Sequence, residues 1–279
     1  MKKQDSKIVL LDYDGYVAKS FYASISKDDR PGDNPLDILF DLENSAIERA
    51  REFYGQDNVK VIRAISGHTF KKDIFPSYKN KRKKDERLGE FRDYIKSNIE
   101  VTIAKNLEAD DIMTMINDYY NQELVVFSDD KDLRYYNPIC CRINPKESII
   151  STPENIMIEN AAIQGITGDS IDNIKGIKGR GKVWAIKYLD KNGYSLKSVI
   201  QAYKDNSVDM DECFRNLVEV IPIKSLFLPD DYKDGYIELV ESLITNNQCD
   251  YGSQMRVIEG FMRYVTSNIK EVYNNVSKS

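Results

Sequence analysis

Aspartates stand at the ends of short apolar runs in the first half of this chain, and each run is followed by an amphipathic stretch. The runs have the length and composition of buried strands, and the stretches between them have helical spacing. Strands that alternate with helices predict an α/β fold with a mostly parallel central sheet and helices on both faces. The predicted strands are residues 8–13, 59–65, 101–103 and 123–127, and the main predicted helices between them are 36–54 and 112–120.

The pattern changes near residue 150, where helical spacing continues without strands to the end of the chain. We therefore predict an α/β core in residues 1–150 and an α-helical region in residues 151–279. Residues 70–100 are polar and basic, and we expect them to leave the sheet and lie outside the core. The predicted helices of the second region are 153–164, 182–190, 196–204, 211–220, 235–246 and 254–273.

Composition excludes several classes of protein. No apolar stretch has the length of a membrane span, and the N-terminus lacks the apolar segment of a secretory signal, so we expect a cytoplasmic protein without a membrane partner. The four cysteines have no Cys-x-x-Cys spacing, which favours free thiols in a reducing compartment. His68 is the single histidine, which argues against a histidine-rich metal centre or a Ser/His/Asp triad.

The charge distribution favours a nucleic-acid partner although the net charge is −5. Residues 71–87 contain eight lysines and arginines against three acids. A local basic segment is what a phosphate backbone attracts, whatever the sum over the chain. The alternative for this segment is an ordinary solvated face.

The acids that end the strands or begin the following helices form four groups. Parallel strands bring their carboxyl ends to one edge of a sheet, where unneutralised carboxylates repel each other. A hard divalent cation relieves this repulsion, and oxygen ligands alone favour Mg²⁺ or Mn²⁺. Taken singly, the acids could instead be helix N-terminal acids or members of a capped turn. The groups are Asp12 with Asp14, Glu108 with Asp110 and Asp111, Asp129 with Asp130 and Asp132, and Asp169 with Asp172.

The segment from Gly168 to Gly181 joins two of these acids to a glycine-rich, basic stretch. Carboxylates three residues apart at a helix start face one cation together, and glycine lets the backbone approach a ligand closely. The interleaved cations suggest that the ligand is phosphate, although a solvated loop is the plain alternative. The residues concerned are Gly176, Lys178, Gly179, Arg180, Gly181 and Lys182.

Motifs from Leu10 to Ala185 resemble, in order, those of the 5′ nuclease family, which includes flap endonucleases, the 5′-3′ exonuclease domain of bacterial DNA polymerase I and stand-alone phage nucleases. The resemblance implies a PIN-like nuclease core, a helical arch at about 70–100 and a helix-hairpin-helix at about 165–190. The matching segments are Asp14-Gly15 with Phe21 to Ala23, Pro76 to Arg82, Glu108 to Asp111, Asp130 to Asp132, and Gly168 to Asn173 with the glycines that follow.

The resemblance further implies hydrolysis of phosphodiesters by in-line attack of hydroxide with two Mg²⁺ ions, for which Mn²⁺ substitutes. One ion would be held mainly by Asp14, Asp111 and Asp130, with Glu108 and Asp110 contributing directly or through water. The other would lie towards Asp132, Asp169 and Asp172. Lys79 and Arg82 match cations that stabilise charge on the scissile phosphate. Tyr78 either stacks on an unpaired base or packs as an ordinary aromatic.

The implied substrate is DNA with a 5′ single strand, a flap or an RNA primer next to duplex, processed during replication or repair. The hairpin residues would bind duplex phosphates, and K⁺ would bridge hairpin carbonyls and phosphate. We expect a monomer, with a replication polymerase or a single-strand-binding protein as partner. A compact chain of this kind suits a phage-encoded protein in the host cytoplasm.

Two departures from the family pattern bear on activity. The second strand ends in Ser66 where the family has a further aspartate, and Lys182 follows the glycines one position away from the family's cation. Asp12 is expected on the same side of the first strand as Asp14, in a supporting or surface position, with Gly15 in the turn that follows. Alternative functions are therefore a structure-specific DNA-binding protein with weak or lost catalysis, or a related metal-dependent ribonuclease.

Overall fold

The computed structural model describes residues 7–25, 34–121, 124–149 and 151–274. Its centre is a parallel sheet of five strands in the order β3-β2-β1-β4-β5. The predicted α/β class and parallel sheet are confirmed, and the short edge strand β5 was not predicted. The strands are β1 (Lys7–Asp12), β2 (Val59–Ser66), β3 (Thr102–Ala104), β4 (Val125–Phe127) and β5 (Cys140–Cys141).

Helices cover both faces of the sheet. Five belong to the first half of the chain: α1 (Tyr13–Ser24), α2 (Pro35–Tyr54), α3 (Phe70–Ile74), α4 (Glu86–Asn98) and α5 (Ala109–Tyr119). Six follow the last strand: α6 (Glu154–Thr167), α7 (Lys182–Asn192), α8 (Leu196–Asp205), α9 (Met210–Val220), α10 (Asp230–Asn246) and α11 (Tyr251–Asn274). None of the helices in this described part of the chain is long and apolar enough to cross a membrane.

The strands alternate their side chains between two hydrophobic layers, as the pleat of a strand requires. Val9 and Leu11 of β1 pack with α1 and α2 on one face, whereas Ile8 and Leu10 pack on the other. The second layer continues without a break from α5 into α8–α11. The helical region thus shares one core with the sheet, and it is held firmly beside the edge where the strands end.

The first strand ends one residue earlier than the sequence pattern suggests. Asp12 caps α1 by accepting a hydrogen bond from the Gly15 backbone N–H at 3.2 Å, so the helix begins at Tyr13. The expectation that Asp12 and Asp14 share one side of a strand is therefore wrong, and Gly15 is not a turn residue. Asp12 belongs to the sheet edge, and Asp14 belongs to the first helical turn.

The basic segment predicted as an arch contains α3, α4 and a turn at residues 75–85. Phe70, Tyr78 and Ile95 are buried, so the expectation that the whole segment lies outside the core is wrong. The turn packs on the helical region, because the Lys79 N–H donates to the Asp172 carbonyl at 2.9 Å. The Asn173 side chain also donates to the Ser77 carbonyl at 3.0 Å.

Residues 168–181, which we call the α6–α7 link, connect two helices and cross over themselves. Gly168 and Gly176 both have positive φ, and a Cβ on Gly176 would lie 2.5 Å from the Gly168 nitrogen. Only glycine allows both the conformation and this contact. The link fixes Asp169 and Asp172 beside the sheet edge, and its identity as a helix-hairpin-helix stays a prediction.

Candidate active site

A cavity of about 510 Å³ opens at the edge where the parallel strands end. Acids from β1, α1, α5 and the β4 loop form part of its lining, and cations from residues 72–92 form another part. Phosphate and a metal ion both suit a wall of mixed charge of this kind. The acids are Asp12, Asp14, Glu108, Asp110, Asp129 and Asp130, and the cations are Lys72, Lys79, Arg82, Lys83, Lys84 and Arg92.

Asp12 is a member of this site that the sequence interpretation undervalued. Its side chain is 6% exposed, so the expected surface position is wrong. The Ser128 hydroxyl donates to its Oδ2 at 2.5 Å. Burial, followed by the negative charge of Asp14, raises the pKa of Asp12 from 3.8 to about 7. A carboxylate held in this way binds a proton or a metal cation readily.

Asp14 lies beside the end of β2 instead of the end of β1. Its carboxylate accepts hydrogen bonds from the Ser66 hydroxyl and, at 3.1 Å, from the Ser66 N–H. Arg92 of α4 pairs with its other oxygen at 2.5 Å. Ser66 also accepts from the Ala109 N–H at 2.8 Å, so it joins Asp14 to the start of α5.

Asp110 and Asp130 complete the acidic wall. Burial, then the charges of Asp130 and Asp12, raise the pKa of Asp110 well above its usual value. Ser128 accepts from the Asp130 N–H at 2.9 Å while it donates to Asp12, which couples the ends of β1 and β4. Asp12, Asp110 and Asp130 therefore lie close enough at the sheet edge for their charges to interact.

Asp111 faces away from this wall, although it was assigned as a main metal ligand. It is fully buried, does not line the large cavity, and accepts from the Glu108 N–H at 3.4 Å in a capping box. Lys71, also buried, lies 3.5 Å from Asp111 and 3.6 Å from Glu108. Asp110 lines the large cavity, and both aspartates line a smaller one of about 40 Å³. The structure thus shows the pairing of Asp111 with Lys71, and the assignment of Asp111 as a principal ligand stays a prediction.

Glu108 lies between two lysines. Its Oε1 is 2.6 Å from the Lys79 ammonium, and its Oε2 accepts from the Tyr78 hydroxyl at 2.8 Å. Burial alone would raise the pKa of Glu108, but Lys71 and Lys79 outweigh burial and lower it to about 2. Glu108 is consequently ionised throughout the neutral range.

The remaining acids lie on the far side of Lys79. Asp172 pairs with Arg82 and lies 3.6 Å from the Lys79 ammonium. Asp169 pairs with Lys131 at 3.1 Å and accepts from the Ile171 N–H at 2.8 Å. Asp132 Oδ1 is buried without a hydrogen bond, and burial, then Asp130, raise the pKa of Asp132 to about 6. The small cavity, of about 40 Å³, is lined by Asp132 and Asp172 together with Glu108, Asp110 and Asp111.

The buried position of Tyr78 overturns its assignment as a base-stacking residue. Its side chain is 3% exposed, and the Lys79 ammonium lies 5.0 Å from the ring centroid. The second option, a packed aromatic, is the observed one. Tyr78 contacts Lys79 through its ring and Glu108 through its hydroxyl, and it thereby helps to position both.

The assigned phosphate-binding residues of the α6–α7 link divide into two sets. Gly176 is buried against Gly168, so it shapes the link and does not present a surface. Arg180 donates to the Asn206 side chain at 2.7 Å and lies 4.8 Å from the ring centroid of Trp184, which is half-buried and stacked on Tyr188. The exposed residues are Lys178, Gly179, Arg180, Gly181 and Lys182.

Within the described residues, no three carboxylates already converge as a set of metal ligands. Protein cations pair with several of them instead: Lys79 lies between Glu108 and Asp172, Arg82 pairs with Asp172, and Arg92 pairs with Asp14. The donor set nevertheless fits a hard divalent cation, because the ligands are oxygens, Asp12 and Asp110 repel, and Asp132 has an orphaned oxygen. An arriving ion would replace protein cations that are already held in place.

The sequence analysis placed Asp12 in the first acid group but not among the ligands, and it missed Ser128, Lys71 and Arg92 as parts of the site. For Asp12 a signal exists, because an aspartate three residues before a glycine N–H is a helix N-cap pattern. Lys71 and Arg92 reach the acids only through packing of α3 and α4, which leaves no local pattern.

Comparison with known proteins shows the family of this chain. Residues 7–147 match the family model described as the 5′-3′ exonuclease, N-terminal resolvase-like domain. A 5′-3′ exonuclease of Mycoplasmopsis pulmonis is 27% identical over 224 residues, covering 74% of this chain and 73% of that protein. A 5′-3′ exonuclease of Aquifex aeolicus is 22% identical over 291 residues, covering 97% of this chain and 98% of that protein.

A solved structure shares the fold over nearly the whole chain. It is a flap endonuclease of bacteriophage T5 in a pseudo-enzyme-product complex with DNA and metal ions. The TM-score is 0.55 at 15% identity, and the match covers 96% of this chain and 100% of that one.

Proposed function

Because this chain belongs to the 5′-3′ exonuclease family and is therefore a phosphodiester-hydrolysing nuclease, we propose that it is a Mg²⁺-dependent 5′ nuclease. Its substrate would be DNA with a 5′ end, flap or RNA primer next to duplex. The T5 relative that shares the fold was solved with DNA and metal ions, which supports this substrate and cofactor class.

The observation that carries the proposal is the cavity at the sheet edge, which combines six acids with six cations. Either set alone would have an ordinary explanation as solvated charge. Facing each other around about 510 Å³, they provide oxygen ligands for cations beside positive charge for a phosphodiester. The arrangement suits hydrolysis of a polyanion with divalent metal.

Asp12, Asp110 and Asp130 would hold one ion, with Asp14 and Glu108 beside it. Asp132, Asp169 and Asp172 would hold the second. When bound, such ions polarise the phosphodiester and lower the pKa of water. Mg²⁺ fits the oxygen donors, and Mn²⁺ has the same preference.

Lys79 and Arg82 would bind the scissile phosphate and stabilise the charge that develops on it. Lys79 lies between the two acid groups, 2.6 Å from Glu108 and 3.6 Å from Asp172. Its neighbours raise its pKa although burial alone would lower it, so it remains charged at neutral pH. Binding of cations to Glu108 and Asp172 would release Lys79 towards the substrate.

Asp14 supplies a negative charge beside Ser66, where the family pattern has an aspartate. The end of β2 has a hydroxyl, and that hydroxyl donates to the Asp14 carboxylate. A negative charge from α1 therefore stands beside the end of β2. This contact argues for retained catalysis and against the alternative of a DNA-binding protein without activity.

The exposed residues of the α6–α7 link would bind duplex phosphates without reading base sequence. Backbone N–H groups at the start of α7 are uncapped by a side chain, and Lys178 and Lys182 flank them. A K⁺ ion between link carbonyls and phosphate belongs to the same proposal. We also propose that the protein is a monomer and is recruited by a polymerase or a single-strand-binding protein.

The test is cleavage of labelled 5′-flap DNA, blunt duplex and single-stranded RNA, each with Mg²⁺ or EDTA. We expect Mg²⁺-dependent cleavage near the flap junction, lost in Asp130→Asn. Tight flap binding without cleavage at any Mg²⁺ or Mn²⁺ concentration would instead support a DNA-binding protein. Preference for single-stranded RNA would support a ribonuclease.

A further inference from the structure

A second cavity, of about 280 Å³, lies in the helical region away from the acids. Most of its lining is apolar and comes from α6, α8, α9 and the segment that follows α9. Met157, Val199 and Leu217 are buried in its wall, whereas Ile158 and Leu226 are exposed near its opening. No part of the proposed nuclease reaction uses this space.

Lys224 lines this apolar cavity, and it is only 6% exposed. Its ammonium donates to the Tyr136 carbonyl at 3.0 Å and lies 5.6 Å from the centroid of the Tyr136 ring. A lysine ammonium has three donors, so one carbonyl leaves it under-satisfied. Burying a cation without a counter-ion costs free energy.

The nearest acids do not neutralise Lys224. The Asp118 carboxylate accepts from the Ser225 N–H and the Tyr236 hydroxyl, both at 2.9 Å. Glu154 lines the cavity but is exposed to solvent. Among the residues that the structure describes, neither forms an ion pair with Lys224, and burial lowers the pKa of Lys224 despite them.

We propose that this cavity binds a small apolar monocarboxylate, whose carboxylate pairs with the Lys224 ammonium while its ring or chain fills the apolar wall. The volume is close to the lower limit of ligand pockets, which excludes large ligands. Because Lys224 is the cation in a mostly apolar lining, a ligand with a single negative charge fits best. Glu154 near the opening would repel a second charge, so nucleotides and oligonucleotides are disfavoured.

The test compares 4-phenylbutyrate with the neutral 4-phenylbutan-1-ol, titrated into the full-length protein and followed by calorimetry and ligand-observed NMR. The two probes share a ring and chain and differ in charge. We expect the acid to bind at least about tenfold more tightly than the alcohol, which corresponds to about 1.4 kcal/mol. Raising the pH through the lowered pKa of Lys224 should remove this difference.

Two variants separate the charge from the cavity. Lys224→Met keeps the length of the side chain and should reduce the affinity for the acid to that for the alcohol. Ala161→Trp, on α6 in the cavity lining, should abolish binding of both probes while the fold is retained. Circular dichroism of each variant checks folding independently of nuclease activity.

Equal affinities for acid and alcohol, unchanged acid binding in Lys224→Met, or no binding of either probe at millimolar concentration would overturn the proposal. None of these results bears on the nuclease function, because the readout is ligand binding. Cleavage of flap DNA by the same protein samples keeps the two proposals apart.

Discussion

The carboxylates at the sheet edge and those of the α6–α7 link differ in what neutralises them. Asp12 and Asp110, at the sheet edge, are shielded from water near other acids, and their pKa values are raised. Asp169, in the link, pairs with Lys131 and accepts a backbone N–H, and these contacts outweigh burial and lower its pKa. Asp172 pairs with Arg82.

This difference indicates where an added cation matters most. The protein already supplies donors to the link acids, whereas the repulsion between Asp12, Asp110 and Asp130 is relieved chiefly by protons or a metal ion. We therefore expect the sheet-edge acids to dominate metal affinity and catalysis. Asp169 and Asp172 of the α6–α7 link should have smaller effects on metal affinity and catalysis.

The largest difference in activity is expected between variants of two adjacent residues, Asp110 and Asp111. Asp110→Asn should lower kcat/KM on flap DNA by about 10³-fold, because it removes a carboxylate from the cavity wall. The matched variant Asp111→Asn should keep activity within about tenfold and lower the Tm, because it weakens the buried pair with Lys71. Steady-state kinetics and thermal unfolding of both variants make the comparison. A folded Asp111→Asn protein that is as inactive as Asp110→Asn would contradict the assignment.

The second-largest effect on activity is expected for Lys79, which lies between Glu108 and Asp172. Lys79→Met should lower kcat by about 10²-fold, because its ammonium lies 2.6 Å from Glu108 and 3.6 Å from Asp172. Arg82→Met, half-exposed and paired with Asp172 alone, should lower kcat by about tenfold. Single-turnover cleavage at saturating Mg²⁺ measures both. Equal losses would show that position between the two groups does not matter.

Stability without metal should also distinguish the sheet edge. The folded protein holds the Asp12 proton up to about pH 7, whereas the unfolded chain releases it near 3.8. The unfolded state therefore binds fewer protons in this window, and stability must fall as the pH rises. Between about pH 5.5 and 7.5 the free energy of unfolding should fall by about 2 kcal/mol through Asp12. Glu108, with its pKa near 2, is ionised in both states and contributes no change in this window.

Urea unfolding in EDTA at the two ends of this pH window measures the slope. Asp12→Asn should reduce this slope and raise stability at the upper end, although the variant loses nuclease activity. Asp132 and Asp110, whose pKa values are also raised, should carry the slope that remains. Asp169→Asn serves as the control, because the pKa of Asp169 is lowered and its titration lies far below this window. A wild-type slope that survives in Asp12→Asn would assign the effect to another group.

The smallest effect concerns the turn that carries Lys79. Arg215 of α9 contacts the Ser77 hydroxyl and lies 5.8 Å from the ring centroid of Phe75. Arg215→Leu should lower kcat about fivefold with little change in KM, because the turn is less well positioned and the cavity is unchanged. Arg215→Lys should recover part of the loss. A change confined to KM would indicate a direct contact with DNA instead.

Much of the fold could be predicted because its signals are local. Apolar runs and helical spacing located β1, β2 and α2 to within one or two residues. Parallel pairing then brought the acids to one edge. The family of the chain was evident from motifs in order, each of which is short.

The errors within the site have a common physical origin. The positions of Asp12 and Asp14, which both line the large cavity, depend on the residue at which strand becomes helix. Whether Asp110 or Asp111 lines this large cavity depends on how α5 is rotated against the sheet. Tertiary packing decides both, and it also buries Tyr78 and assembles the Lys224 cavity from residues far apart in sequence.

A crystal structure of the protein soaked in Mn²⁺, with anomalous diffraction, tests the central claim most directly. We expect a Mn²⁺ peak bound by carboxylate oxygens of Asp12, Asp110 and Asp130. A second peak should lie towards Asp132, Asp169 and Asp172, with Lys79 displaced from Glu108. A peak bound by Asp111 in place of Lys71, or no peak at the sheet edge at saturating Mn²⁺, would contradict the account.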